Sequence, residues 1–237
     1  MAVILCAHGA EGSSATAEHH AHAIRERALF ADVRACCLKG SPSLDEAMAS
    51  IGSRPVHIVP VLMSRGHTWA TVLPKALCQC RHESPRVTIG QPMGLDPAVA
   101  EIIARRARVT CEAREWRPGE TRVLLVAHGR ERDTDAREAA VEHARRVNAD
   151  RIFAGVTPAF LNDRPRVEEA LSALVEEPCV VVGLFADHGP HGAVDVEDVI
   201  RRSGRRVAYA GPIGDDGGFT DIIIRHALSV TRWKTAA

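Results

Sequence analysis

The chain has 237 residues, 46% of them hydrophobic, and its 30 basic side chains are matched by 30 acidic ones. That is enough apolar material for one large core or two moderate ones, and the balanced charge excludes a broad nucleic-acid or membrane surface, though not a local basic cluster. No run approaches the roughly 18 apolar residues of a membrane span and the start lacks a signal-peptide pattern, so a cytoplasmic protein with neither nucleic acid nor membrane as partner is expected.

In chain order, Val3 to Ala7 is an apolar run that stops at His8-Gly9. Successive branched apolar residues suit a strand covered on both faces, and ligands of open parallel sheets gather beyond the carboxyl ends of such strands. A polar loop leads to a helix from about Ala15 to Phe30, then to a strand over Val33 to Leu38. Ser43 caps a short helix through Ile51, Val56 to Met63 is a third strand, and the loop Ser64-Arg65-Gly66-His67-Thr68 puts His67 beyond another strand end. A helix through Leu77, a strand over Arg86 to Ile89, the turn Gly90 to Gly94 and a helix from Asp96 to about Arg108 follow. Alternating strands and helices with short loops predict a parallel sheet with helices on both faces. Of the seven cysteines, Cys6, Cys36, Cys37 and Cys179 fall on expected buried strands, where a reduced thiol behaves as a small apolar group. No disulfide framework is expected.

The charged segment from Glu112 to Glu120 contains Pro118-Gly119, and after it the pattern restarts. This divides the chain into a first domain at 1–112, a linker at 113–120 and a second domain at 121–237. Val123 to Ala127 runs into His128-Gly129-Arg130, so Ala-His-Gly occurs twice, 120 residues apart. Cys36 to Met48 matches Ala159 to Leu171 without a gap at an offset of 123, and the third strand returns as Val180 to Ala186 at the same offset. Pro92-Met93-Gly94 followed by Ile102-Ile103 returns as Pro212-Ile213-Gly214 followed by Ile222-Ile223 at an offset of 120. Agreement at several points in one order identifies a duplicated α/β domain. The expected architecture is two similar α/β domains, each a parallel four-stranded sheet flanked by helices, facing across a central cleft lined by strand ends.

The third strand of the second half continues into Asp187-His188-Gly189-Pro190-His191. Ends of strands one and three lie near each other in a parallel sheet, so His128 and His191 can converge. Two imidazoles with an open coordination position suit a borderline divalent transition metal. His188, three residues away, is the rival to His191. Glu18-His19-His20-Ala21-His22 puts His19 and His22 one helical turn apart, a pattern more often plain helix surface than a metal patch. Cys78-Gln79-Cys80 with His82 and Cys111 lacks the repeated Cys-x-x-Cys of familiar ligand sets, so no iron-sulfur cluster is expected.

Three stretches in combination carry a resemblance: Ala127-His128-Gly129-Arg130; Ala159-Phe160-Leu161 with Pro165 four residues on; and Leu184-Phe185-Ala186 with Gly189-x-His191-x-x-x-Asp195. Together they resemble the sirohydrochlorin chelatases, the class II metal-inserting enzymes of cobalamin and sirohaem synthesis, and the two-domain arrangement resembles the long form of the cobalt-inserting members. The resemblance implies an ATP-independent insertion of Co2+ or Fe2+ into sirohydrochlorin, with His128 and His191 as catalytic pair and metal ligands and one of them accepting a pyrrole proton. The metal is then a substrate, and no organic cofactor is needed; the absence of a Walker-type loop agrees. Arg130, Arg132 and Arg164, on loops of the same edge, can pair with substrate carboxylates.

The chain departs from that family where it commonly has glutamate after Ala-Phe-Leu, for Asn162 stands there. Charge at the site then comes from Asp163, Asp187 or the substrate. Asn162 itself counts among the substrate-facing residues. The first half departs further, with Lys39 at that position and Thr68 opposite His191, so His8 and His67 are secondary metal candidates. Asp195 reads as a helix-start group rather than a ligand. The partners implied are sirohydrochlorin or a related tetrapyrrole and a divalent metal ion, on a monomer or homodimer. The competing readings are a non-catalytic metal- or tetrapyrrole-binding protein and a chelatase for another tetrapyrrole.

Overall fold

The computed structural model describes residues 1–9, 15–81, 86–129, 134–174, 177–187 and 195–233. The first sheet contains β1 (Ala2–Ala7), β2 (Asp32–Cys37), β3 (Val56–Val61) and β4 (Val87–Ile89), ordered β2-β1-β3-β4 and parallel throughout. The second contains β5 (Arg122–Ala127), β6 (Gly155–Phe160), β7 (Cys179–Gly183) and β8 (Val207–Pro212), ordered β6-β5-β7-β8 and again parallel. This is the duplicated four-stranded parallel sheet expected from the sequence. Every residue of β1, β3 and β7 is buried, as an uninterrupted apolar run requires when helices cover both faces. The outer strands β2 and β6 admit exposed positions.

Helices fill the crossovers: α1 (Ala15–Glu26), α2 (Leu44–Ile51), α3 (Leu73–Cys78), α4 (Val99–Ala113), α5 (Thr134–Ala149), α6 (Val167–Ser172), α7 (Val196–Ser203) and α8 (Gly217–Trp233). Ser43 starts α2 with a capping box: its hydroxyl accepts the Glu46 N–H and the Glu46 carboxylate accepts the Ser43 N–H. The helix after β1 ends at Glu26 rather than near Phe30, because Ala28 adopts a positive φ of 51° and turns the chain toward β2. The loop after β3 closes into a π-helical turn over Thr68–Val72 before α3 begins. On one face of the first sheet, Ile4, Ile58, Leu44, Met48 and Leu73 form a core; Leu124, Val181, Leu171 and Val196 form its counterpart on the second. Each such fully buried side chain contributes about 1.5–3 kcal/mol.

The packing units differ from the 1–112 and 121–237 division. One compact unit comprises residues 1–96 and 216–237, the other 97–215. The last helix of each repeat has crossed over: α4 packs on α5, β7 and β8, and α8 packs on α1, β3 and the turn at 93–95. The residues expected to form the linker are partly helical, since α4 extends through Ala113 and a 3-10 turn occupies Pro118–Glu120. The cause lies in the duplication. Ile102-Ile103 and Ile222-Ile223 give both helices the same buried stripe, so periodicity shows that a face is buried without showing which of two like sheets receives it.

All seven cysteines are free thiols, and Cys6, Cys36, Cys37 and Cys179 are buried. Burial pushes the Cys179 thiol up to about 12, and the hydrogen bond with Cys6, together with burial, raises that of Cys36. Among the described residues no helix is long and apolar enough to cross a membrane.

Candidate functional site

His128 sits exposed at the tip of β5, immediately after five fully buried residues. The backbone past the strand stays tied to the neighbouring loop: Leu161 N–H donates to the Ala127 carbonyl at 3.1 Å and Asn162 N–H to the His128 carbonyl at 2.9 Å. The first unit repeats this, with Leu38 N–H on the Ala7 carbonyl at 2.9 Å and Lys39 N–H on the His8 carbonyl at 3.0 Å. The glycine after each histidine is dictated by this closeness. Gly129 has a φ of +64°, and a Cβ there would lie 2.7 Å from that of Phe160 and 2.8 Å from that of Asp163, so only glycine fits.

The His128 ring rests edge-on against Phe185, with centroids 4.9 Å apart and planes at 70°. Phe185 is itself 3% exposed and packed into the second core, which fixes the imidazole over the end of β7. Phe185 lies within the Leu-Phe-Ala stretch quoted above, but nothing in its spacing marks it as the histidine's support. Its counterpart at the 123-residue offset is Leu62. His8, also exposed, instead has its Nδ1 3.3 Å from the hydroxyl of Thr68.

The neighbouring loop holds the other candidates. Asn162 is exposed. Asp163 accepts the Arg164 backbone N–H at 2.7 Å and pairs with Arg137 of α5 at 2.7 Å. Arg137 also donates to the Arg164 carbonyl and lies 5.3 Å from the Phe160 ring centroid. The Arg164 N–H first, and then Arg137, hold the Asp163 carboxyl below the usual carboxylate range. Both of its oxygens brace the loop, so Asp163 does not replace the missing glutamate. Arg164 is exposed and pairs with Glu169 at 3.1 Å, a contact of a solvated loop cation. Asp187 is half-buried directly beyond β7, and Asp195 stands at the start of α7 without a side-chain cap bond.

His67 is exposed at the start of the turn that Thr68 begins. Arg130, Arg132, His188 and His191 lie outside the described residues, as does His82. Among the described residues no group of three or more His, Cys, Asp or Glu is placed to hold a metal. Of the helix histidines, His20 is buried, bonded to Thr220 at 2.8 Å and stacked on Phe219, while His19 and His22 are exposed. Cys111 is buried in the second unit beside the Thr121 hydroxyl, whereas Cys80 packs on the core of the first. These thiols serve two different units.

A twice-repeated parallel α/β unit with an exposed imidazole at the tip of its second strand in spatial order is what the resemblance to the chelatases leads one to expect. The CbiX family model matches residues 2–110 and again 122–229. The chain belongs to the CbiX family, with one copy in each repeat. A protein of Halobacterium salinarum named probable sirohydrochlorin cobaltochelatase is 27% identical over 264 residues, covering 95% of this chain and 90% of its own. Two solved structures share the fold. CbiX described as the terminal enzyme for siroheme biosynthesis in denitrifying bacteria is 24% identical with a TM-score of 0.75, covering 97% of this chain and 99% of its own. SirB from Bacillus subtilis with Fe3+ is 17% identical with a TM-score of 0.81, covering 95% and 93%.

Proposed function

We propose that this protein inserts Co2+ or Fe2+ into sirohydrochlorin without ATP, and that His128 and His191 take the metal and a pyrrole proton. The observation that carries the pair is the contact between His8 and Thr68 at 3.3 Å. Thr68 corresponds to His191 at the 123-residue offset and His8 to His128 at 120. Insertion must strip water from a dication and release two N–H protons from the macrocycle, leaving the charge balanced. Neutral imidazole serves as ligand or as base for this. Phe185 holds the His128 ring in one orientation, so ordering it costs little when the ion arrives.

Arg130, Arg132 and Arg164 are assigned to the substrate's carboxylates in this reading, and Asn162 to a neutral contact with the substrate. His8 and His67 are secondary. Imidazole with oxygen ligands accepts both ions, and selection between them follows metal supply. The halobacterial relative named for cobalt and the denitrifier enzyme named for siroheme represent the two outcomes. The test is anaerobic sirohydrochlorin absorbance with each metal and the purified protein. His128→Ala and His191→Ala are expected to lower the enzyme-dependent rate at least a hundredfold with an unchanged circular-dichroism spectrum, and His8→Ala to cost less. A dead His8→Ala beside a fully active His128→Ala would overturn the assignment to the second repeat. Metal and tetrapyrrole binding without turnover would favour a carrier.

A further inference from the structure

Among the described residues, the loops that end the first sheet carry cations and no acid, whereas those of the second carry both signs. In the first unit the described residues that follow β1 to β4, namely 8–9, 38–43, 62–67 and 90–92, include no aspartate or glutamate. They supply His8, Lys39, Arg65, His67 and Gln91, and Thr68 follows directly. The corresponding described loops of the second unit carry both signs: Asp163, paired with Arg137, Asp215, paired with Arg106, and Asp187, together with the exposed Arg164 and Arg166 and with His128. Lys39 is exposed, its backbone N–H is on the His8 carbonyl at 3.0 Å, and the Thr68 hydroxyl is 3.3 Å from Nδ1 of the same histidine. Arg65 is oriented by Gln91, whose side-chain oxygen accepts its Nε–H at 2.8 Å. Of the acids that flank these loops along the chain, Glu11 lies outside the described residues, Asp45 pairs with Arg81 at 3.1 Å, Glu46 accepts the Ser43 N–H, and Asp96 is engaged with His226 at 2.7 Å and Arg225 at 3.3 Å.

An ammonium and a guanidinium repel a dication, and a hydroxyl with imidazole N–H groups donates to oxygen anions. We infer that the strand-end edge of the first unit is a carboxylate site, with Lys39, His8 and Thr68 as its contact groups. Resting on the chelatase reading, the carboxylates this edge would take are acidic side chains of the tetrapyrrole, in addition to those that reading gives to Arg130, Arg132 and Arg164. On this account, what replaced the acidic ligand in the first repeat is a specificity device. Lys39 is where a cation replaces the amide of Asn162 at the aligned position.

Calorimetry on the full chain separates the carboxylate site from the metal site, with Co2+ and tricarballylate, a small tricarboxylate, as probes. Tricarballylate binding is expected to weaken about tenfold in Lys39→Glu, to weaken with added salt and to be unaffected by His128→Ala. Sirohydrochlorin KM should rise about tenfold in Lys39→Ala, with Co2+ affinity unchanged. Lys39 is exposed, so these variants keep the fold. Tricarballylate that binds Lys39→Glu as well as the unaltered protein, or Co2+ binding that disappears in His8→Ala and persists in His128→Ala, would overturn the carboxylate site. Co2+ binding indifferent to both histidines would instead sink the metal assignment and leave the carboxylate result standing.

Discussion

Asn162 holds the position at which a single charge matters most. Its backbone N–H is bonded to the His128 carbonyl at 2.9 Å while its side chain is exposed, so a longer carboxylate can be placed there without disturbing the core. The nearby Asp163 gives no substitute, because Arg164 and Arg137 already hold it. Asn162→Glu is therefore expected to tighten Co2+ binding about tenfold, the effect of about 1.4 kcal/mol of added attraction. Calorimetry showing no change, with the fold preserved, would remove position 162 from the metal site. His128 was legible in the sequence because an apolar run that ends in histidine and glycine has one physical outcome: a covered strand and an exposed tip. Its support by Phe185 was not, since a phenylalanine on a buried strand reads as core whether or not a functional ring lies against it.

At the scale of the element, each third strand is locked to the turn after the fourth. Gly94 N–H donates to the Leu62 carbonyl at 2.9 Å and Gly214 N–H to the Phe185 carbonyl at 3.0 Å. A Cβ on Gly214 would collide with the carbonyl of Ala186, and one on Gly94 with the backbone of Met63. The recurring Pro-x-Gly was visible in the sequence as repetition only. Its cause is this close approach, which no periodicity reports. Gly214→Ala must push the segment carrying Phe185 and Asp187 away from β8, so a loss of about 1–3 kcal/mol is expected together with reduced activity. Gly217 begins α8 with nothing within 4 Å of an added Cβ, so Gly217→Ala should stay within about 0.5 kcal/mol of the unaltered protein. Urea unfolding of both variants checks this; equal stabilities would mean that the contact at Gly214 relaxes without cost.

For the whole molecule, the sequence disclosed the repeats but not the exchange of their last helices. Two sheets of like pattern compete for two helices of like pattern, and the choice is decided by contacts far apart in the chain. In the second unit Arg106 of α4 donates to the Ala210 carbonyl at 2.6 Å and pairs with Asp215 at 2.6 Å, with a side chain only 19% exposed. In the first, His226 at the 120-residue offset from Arg106 meets Asp96 at 2.7 Å. The helix that the duplication places at the end of one repeat is thus bonded to the sheet of the other. A fragment cut at the repeat boundary, 121–237, lacks α4, the helix that packs on β7 and β8, while its α8 lacks the β3 and 93–95 segments on which it packs in the full chain. A fragment of residues 97–215 contains one complete packing unit in a single continuous stretch. It is expected to unfold cooperatively as a monomer in urea and to show native-like near-ultraviolet dichroism, whereas 121–237 should be molten, aggregated or rescued only by pairing with a second copy. A stable, cooperative monomer from 121–237 together with an unfolded 97–215 would show that each repeat retains its own last helix and that the exchange does not exist in solution.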